Sequence, residues 1–161
     1  MINQNNTMIT SKYSKARKNA PVFYFFGAIL MNPIPYFLFP KLNIIHFPYT
    51  LFGIIFITSG YYIMNYSSKI FNKKETTFLL EKPKTFIQTG FYKKTRNPMY
   101  LGMLFMILGE SILFGNILSF IIPIFFYSLI NFFCIIPEEK IMEKTFKKEY
   151  IKYKNKVRRW I

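Results

Sequence analysis

The sequence predicts an all-α integral membrane protein with about four transmembrane helices, a cytoplasmic interfacial segment and a C-terminal amphipathic helix. Three observations carry that expectation. The 161 residues are 52% hydrophobic and 20% aromatic, yet the formal charge is +15. Apolar and charged residues are segregated into blocks, and the apolar blocks are close to the ~20 residues that cross a bilayer core. The cations crowd into alternate gaps between those blocks, as the positive-inside rule requires.

Residues 1–19 are polar and expected to be flexible, and 20–161 read as one domain. The first apolar block, 21–40, and the second, 47–66, contain no Asp, Glu, Lys or Arg. The first is long, holds Pro33 and Pro35 and lacks a small-x-small cleavage site, so it reads as a span and not as a cleaved leader. Its two prolines remove backbone donors and bend or break the helix. His46 falls in the following loop, away from other polar clusters, and reads as solvated. The stretch 67–96 is too charged to span. Its "TFLLEKPKTFIQTGFY" mixes cations with apolar residues, which suits chain lying at a membrane interface.

Two more apolar blocks follow, 98–115 and 117–136. Only Gly115-Asn116 parts them, which leaves room for nothing but a tight antiparallel hairpin. Pro137 then opens a new helix expected over 137–158, where Glu138 and Glu139 complement the dipole of the first turn. Ile141, Met142, Thr145, Phe146, Tyr150, Tyr153 and Val157 recur at three- and four-residue steps with lysines between them, giving an amphipathic surface helix. Trp160 in "VRRWI" suits a headgroup region.

Lys and Arg number four before the first block and one between the first two. Eight lie between the second and third, none in the hairpin, and nine after the fourth. An even number of spans puts every basic-rich segment on one side, so both termini are expected in the cytoplasm. Topology and anionic lipid thus account for the cations, including Lys93, Lys94 and Arg96, and no nucleic-acid-binding module accompanies them. A single cysteine, Cys134, forms no internal disulfide and reads as packing; no Cys/His cluster with metal-ligand spacing exists. Glu110 is an acid inside a span, a costly placement that makes it a functional candidate by default.

Two stretches concentrate the remaining chemistry: "TGFYKKTRNPMYLG" from Thr89, and "PEEKIMEKTFKKEYIKYKNKVRRWI" from Pro137. The hairpin puts the start of the third span and the end of the fourth on one side, so Tyr92, Asn97 and Tyr100 can approach Glu138. Here the chain resembles the isoprenylcysteine carboxyl methyltransferase family and its phospholipid methyltransferase relatives, over about the last eighty residues. The family pattern is Thr-Gly, an aromatic, a basic residue, then Arg-His-Pro-x-Tyr-x-Gly. A hairpin later come Glu-Glu-x-x-Leu/Met, Phe-Gly-x-x-Tyr-x-x-Tyr and a Val-x-Arg-like end.

The resemblance implies a membrane enzyme that moves a methyl group from S-adenosylmethionine to a lipophilic small molecule or lipidated substrate. Carried over by position, it implies cofactor contacts at Lys84, Thr85, Phe86, Ile87, Tyr92, Asn97, Pro98, Met99, Tyr100 and Glu138. Asn97 and Tyr100 would lie at the chemistry, and Glu139 would cap its helix. A carboxylate and aromatic faces suit a ligand carrying sulfonium and ammonium charges. Two departures from the pattern bear on the chemistry. The family histidine is Asn97, and the arginine that prenylcysteine-modifying members place before the glutamate is Cys134. A non-catalytic membrane scaffold and a sterol-reductase-like NADPH enzyme are the alternatives.

Overall fold

A computed structural model describes residues 19–73 and 87–161. Those residues are helical, with no strand among them; the nearest approach is an isolated antiparallel bridge between Asn43 and Asn116. Helix α1 covers 19–31 and stops at Asn32-Pro33, and a short helix α2 follows at Ile34–Leu38. Helix α3 is Phe52–Lys73 and α4 is Pro98–Phe114. After the hairpin, α5 (Ile121–Ile130), a π-helical turn (Asn131–Ile135) and α6 (Ile136–Lys156) run on without a gap.

Two helical stretches among the described residues, Asn19–Leu38 and Ile117–Lys156, are long and apolar enough to cross a membrane. Helix α4 is apolar but shorter. The second apolar block starts its helix later than 47 and carries it past 66, to Lys73. Its sequence stays helical through the polar Asn65–Lys73 stretch because no proline or glycine interrupts it. Large apolar side chains face outward, Phe23 at 68% exposure and Phe125 at 61%. A contiguous apolar exterior of this kind marks a lipid or partner face.

Helices α3 and α4 pack antiparallel, and small residues set how closely. The buried positions of α3 are Gly53, Gly60 and Ser67, seven apart. Gly60 faces Gly102, and Gly53 faces Gly109: a Cβ on Gly60 would lie 2.5 Å from the Gly102 carbonyl, and one on Gly109 would lie 2.5 Å from that of Gly53. Backbones this near gain dispersion along the whole seam, and a seven-residue spacing keeps the contact on one face of each helix.

The helix beginning at Pro137 proves continuous with the one before it. Proline inside a helix clashes with the carbonyl four residues back and lacks the N–H to pair with it. The π-helical turn absorbs that conflict: the Ile136 N–H donates to the Asn131 carbonyl, five residues back, which shifts the register just ahead of Pro137. A second irregularity lies at Lys147, where φ is 46° and ψ is −120°, and α6 kinks. That is the position at which the family pattern has glycine.

At the hairpin end of α4 a closed polar network ties the interrupted first helix to the turn. The Asn32 side chain is fully buried; its Nδ2 donates to the Ile107 carbonyl at 3.0 Å and to Glu110 Oε2 at 3.2 Å. Ser111 Oγ donates to Asn32 Oδ1 at 3.1 Å, and Ser119 Oγ donates to the Asn32 carbonyl at 2.8 Å. Asn116 Nδ2 donates to the carbonyls of Pro35 and Phe39 and to Asn43 Oδ1, at 3.1, 2.9 and 2.7 Å. Pro33 and Pro35 break the helix, and the freed backbone groups are taken up by these amides and hydroxyls.

Candidate active site

At the other end of α4 the chain turns through "TGFYKKTRNP" before the helix begins. Gly90 adopts φ 62°, and a Cβ there would lie 2.8 Å from both Ile70 and Tyr66, so the turn needs glycine twice over. A 3-10 turn, Gly90–Lys93, follows, and Pro98 then occupies the first position of α4. Proline is favoured there because its missing donor is one of those a helix start leaves unpaired anyway.

The two sequence stretches meet here. Tyr100 is 6% exposed, and its hydroxyl donates to Glu138 Oε1 at 2.5 Å. Tyr92 lies close by, and its carbonyl accepts from the Tyr153 hydroxyl at 2.6 Å. Burial, with Tyr153 and the Glu138 carboxylate adding, raises the Tyr92 phenol above its ordinary value, so it stays neutral. A carboxylate beside two neutral phenol rings is an arrangement that can hold a cation.

Of the other expected site residues, Ile87 and Pro98 are buried and Met99 is half-buried on the first turn of α4. Asn97 caps that helix by position, but its side chain makes no capping bond. Its Nδ2 instead donates to the Arg159 carbonyl at 3.0 Å. Lys84, Thr85 and Phe86 lie outside the described residues. Glu110 is at the opposite end of α4, on Asn32, and is not brought to this corner. Cys134 is buried in the same apolar cluster as Tyr100.

Three residues matter here in ways the sequence did not reveal. Glu139 is buried, 5% exposed, where a cap would be solvated. It accepts from Arg159 at 3.1 and 2.8 Å and pairs with Arg96 at 3.2 Å. The Arg96 side chain is only 8% exposed and its Nε and Nη1 have no partner among the described residues; the same holds for the indole N–H of Trp160. A lysine- and arginine-rich stretch before an apolar helix looks like topology alone, and that disguised Arg96. Arg159 is held well into its charged form by its hydrogen bond to Glu139. No sequence signal pointed to it beyond its place in the terminal motif.

The helical chain thus closes its two polar motifs on a tyrosine–glutamate contact at the mouth of an apolar hairpin. Residues 47–149 match the phospholipid methyltransferase family, and the chain belongs to it. It is similar to the protein-S-isoprenylcysteine O-methyltransferase of Saccharomyces cerevisiae, 34% identical over 146 residues, which is 81% of this chain and 58% of that one. The chain therefore spans little more than half the length of that relative. It is also 43% identical over 63 residues to an uncharacterized protein of Haemophilus influenzae, 39% of this chain and all of the other. Membership of a methyltransferase family implies a methyl donor.

Proposed function

We propose that this protein is a membrane-embedded methyltransferase that takes its methyl group from S-adenosylmethionine and delivers it to a lipophilic acceptor. The observation that carries the reading is the Tyr100–Glu138 hydrogen bond, which joins the two halves of the family motif across 38 residues. The name of the yeast relative favours a prenylated cysteine carboxylate as acceptor. Cys134, where the resemblance expects an arginine, leaves lipid amines and thiols beside it.

The residues present fit the donor. When bound, S-adenosylmethionine supplies an electrophilic methyl on a cationic sulfur. The Glu138 carboxylate and the faces of Tyr92 and Tyr100 hold its positive charges, and Ile87, Pro98 and Met99 supply apolar walls. Lys84, Thr85 and Phe86 join this set on the resemblance alone. Tyr100 fixes Glu138 in place and lies at the chemistry. The Asn97 amide, spent on the Arg159 carbonyl, acts by position. Apolar surroundings exclude water, which favours attack by an anionic acceptor on a cationic centre because the charges cancel as the bond forms.

In the membrane the reading places four spans over roughly 21–40, 47–66, 98–115 and 117–136, with this corner and both ends of the chain on the cytoplasmic side, where positive charge concentrates. The acceptor enters from lipid and the donor from water. Calorimetry of S-adenosylhomocysteine with detergent-purified protein tests the proposal. Binding is expected, and Glu138→Gln should weaken it about tenfold or more, the scale of a lost charge-assisted contact. Absence of binding to the unaltered protein would remove the donor assignment.

A further inference from the structure

Beyond the corner itself, residues 157–161 form a strap whose contacts radiate to each element that carries the proposed donor site. Val157 leaves α6 in an extended conformation. The next carbonyls are taken by the turn before α4: the Arg96 N–H donates to the Arg158 carbonyl at 3.0 Å, and Thr95 Oγ1 donates to that of Arg159 at 3.1 Å. The Arg159 guanidinium turns the other way. Its Nε and Nη2 donate to Glu139, and its Nη1 donates to Asn131 Oδ1 at 3.2 Å. The Trp160 ring packs on Tyr127, centroids 4.9 Å apart.

Asn131 and Glu139 bracket the π-helical turn and Pro137, and Glu138 sits between Pro137 and Glu139. One arginine therefore clamps both ends of the irregular stretch that decides where Glu138 points. Its own carbonyl also receives the Asn97 amide, so the same residue fixes α4 relative to that stretch. We propose that the 157–161 strap is a positioning element for methyl-donor binding, and that Arg159, through Glu139 and Asn131, sets the register in which Glu138 meets Tyr100. This inference rests on the donor site proposed above. Arg159 itself touches neither donor nor acceptor in this reading. Its effect passes through the residues it holds, so strap docking and donor binding are coupled and each strengthens the other.

The chain has a single tryptophan, on the strap, which gives a direct readout. In detergent-purified full-length protein, S-adenosylhomocysteine should protect Trp160 from acrylamide quenching. Arg159→Ala should increase quenching and raise the dissociation constant for S-adenosylhomocysteine about tenfold, while Glu139 keeps Arg96 as a partner and the melting temperature falls little. Arg159→Lys keeps charge but cannot reach Glu139 and Asn131 with one planar fork, so it should recover only part of the affinity. The double variant Arg159→Ala/Glu139→Gln should bind no more weakly than the worse single variant, since both act through one link. A strap that loosens in Arg159→Ala with unchanged S-adenosylhomocysteine affinity would overturn the inference and leave the donor site standing. No binding by the unaltered protein would instead remove the donor site, and the inference with it.

Discussion

The two ends of α4 are both polar, both buried in part, and built to opposite specifications. At the hairpin end the amides and hydroxyls of Asn32, Ser111, Asn116 and Ser119 each find a partner within the chain. At the Asn97 end long-range bonds are also present, yet Arg96 keeps two buried N–H-bearing atoms, and Trp160 one, without a partner among the described residues. An unpaired buried donor costs on the order of 1–3 kcal/mol, so a fold tolerates several in one place only when something else is gained. The closed network is architecture; the open one lies beside the proposed donor site.

The seam between α3 and α4 carries both ends, and breaking it should erase the distinction. Gly60→Leu would push four side-chain carbons into the Gly102 backbone, where even a Cβ lies 2.5 Å from an oxygen. The helices must part along their length, at a cost of about 3 kcal/mol or more, comparable to severe overpacking of a core. Loss of the folded monomer in detergent, seen as aggregation on size-exclusion chromatography and loss of S-adenosylhomocysteine binding together, is the expected result. A folded Gly60→Leu protein would show that the seam is looser than the glycines indicate.

Asn116→Ala separates the two ends. It removes an amide that donates to three acceptors and receives the Leu118 N–H; the Pro35 and Phe39 carbonyls keep the N–H groups of Phe39 and Leu42, so the cost, roughly 1–3 kcal/mol of stability, falls on the Leu118 N–H and Asn43 Oδ1. The melting temperature should fall while S-adenosylhomocysteine affinity, measured well below the transition, stays as it was. Glu138→Gln should do the reverse. Equal effects of both variants on affinity would mean that the ends communicate and that the closed network is part of the site.

How much of this was legible in the sequence depends on how local the signal is. The hairpin at Gly115-Asn116 and the start of α4 at Asn97-Pro98 are written in residue types with strong backbone preferences, and the structure has both. The meeting of Tyr100 with Glu138 follows from the hairpin, because antiparallel neighbours must share an end. What was hidden depends on partners far along the chain. Glu139 at a helix start looks like a solvated cap, and only Arg159 on the strap, twenty residues later, and Arg96 in the turn before α4 make it a buried, paired acid. The seven-residue recurrence of Gly53, Gly60 and Ser67 means little until α4 presents Gly102 and Gly109 in matching register. Continuity through Pro137 required a π-helical turn, which has no residue signature of its own.

The last contrast between the ends concerns backbone strain, and its expected effect is the smallest. At the hairpin, the residue with positive φ is Gly115, at 69°, and a Cβ there would strike the Ile45 carbonyl 2.2 Å away. Glycine is required by conformation and by space. On the other side, α6 kinks through Lys147 at φ 46° and ψ −120°, a region that a side chain enters only at a cost of about 1–3 kcal/mol. Glycine there relieves the strain but adds freedom to the unfolded chain, which returns part of the gain. Lys147→Gly should therefore stabilise the protein by about 1 kcal/mol, less than the strain alone. Thermal melting in one detergent would show it as a modest rise. An alanine at the same place separates conformation from charge: Lys147→Ala removes the ammonium, keeps the Cβ, and should give no such rise. If alanine stabilises as much as glycine does, crowding of the lysine-rich face and not the backbone is what α6 relieves, and the kink is not strained.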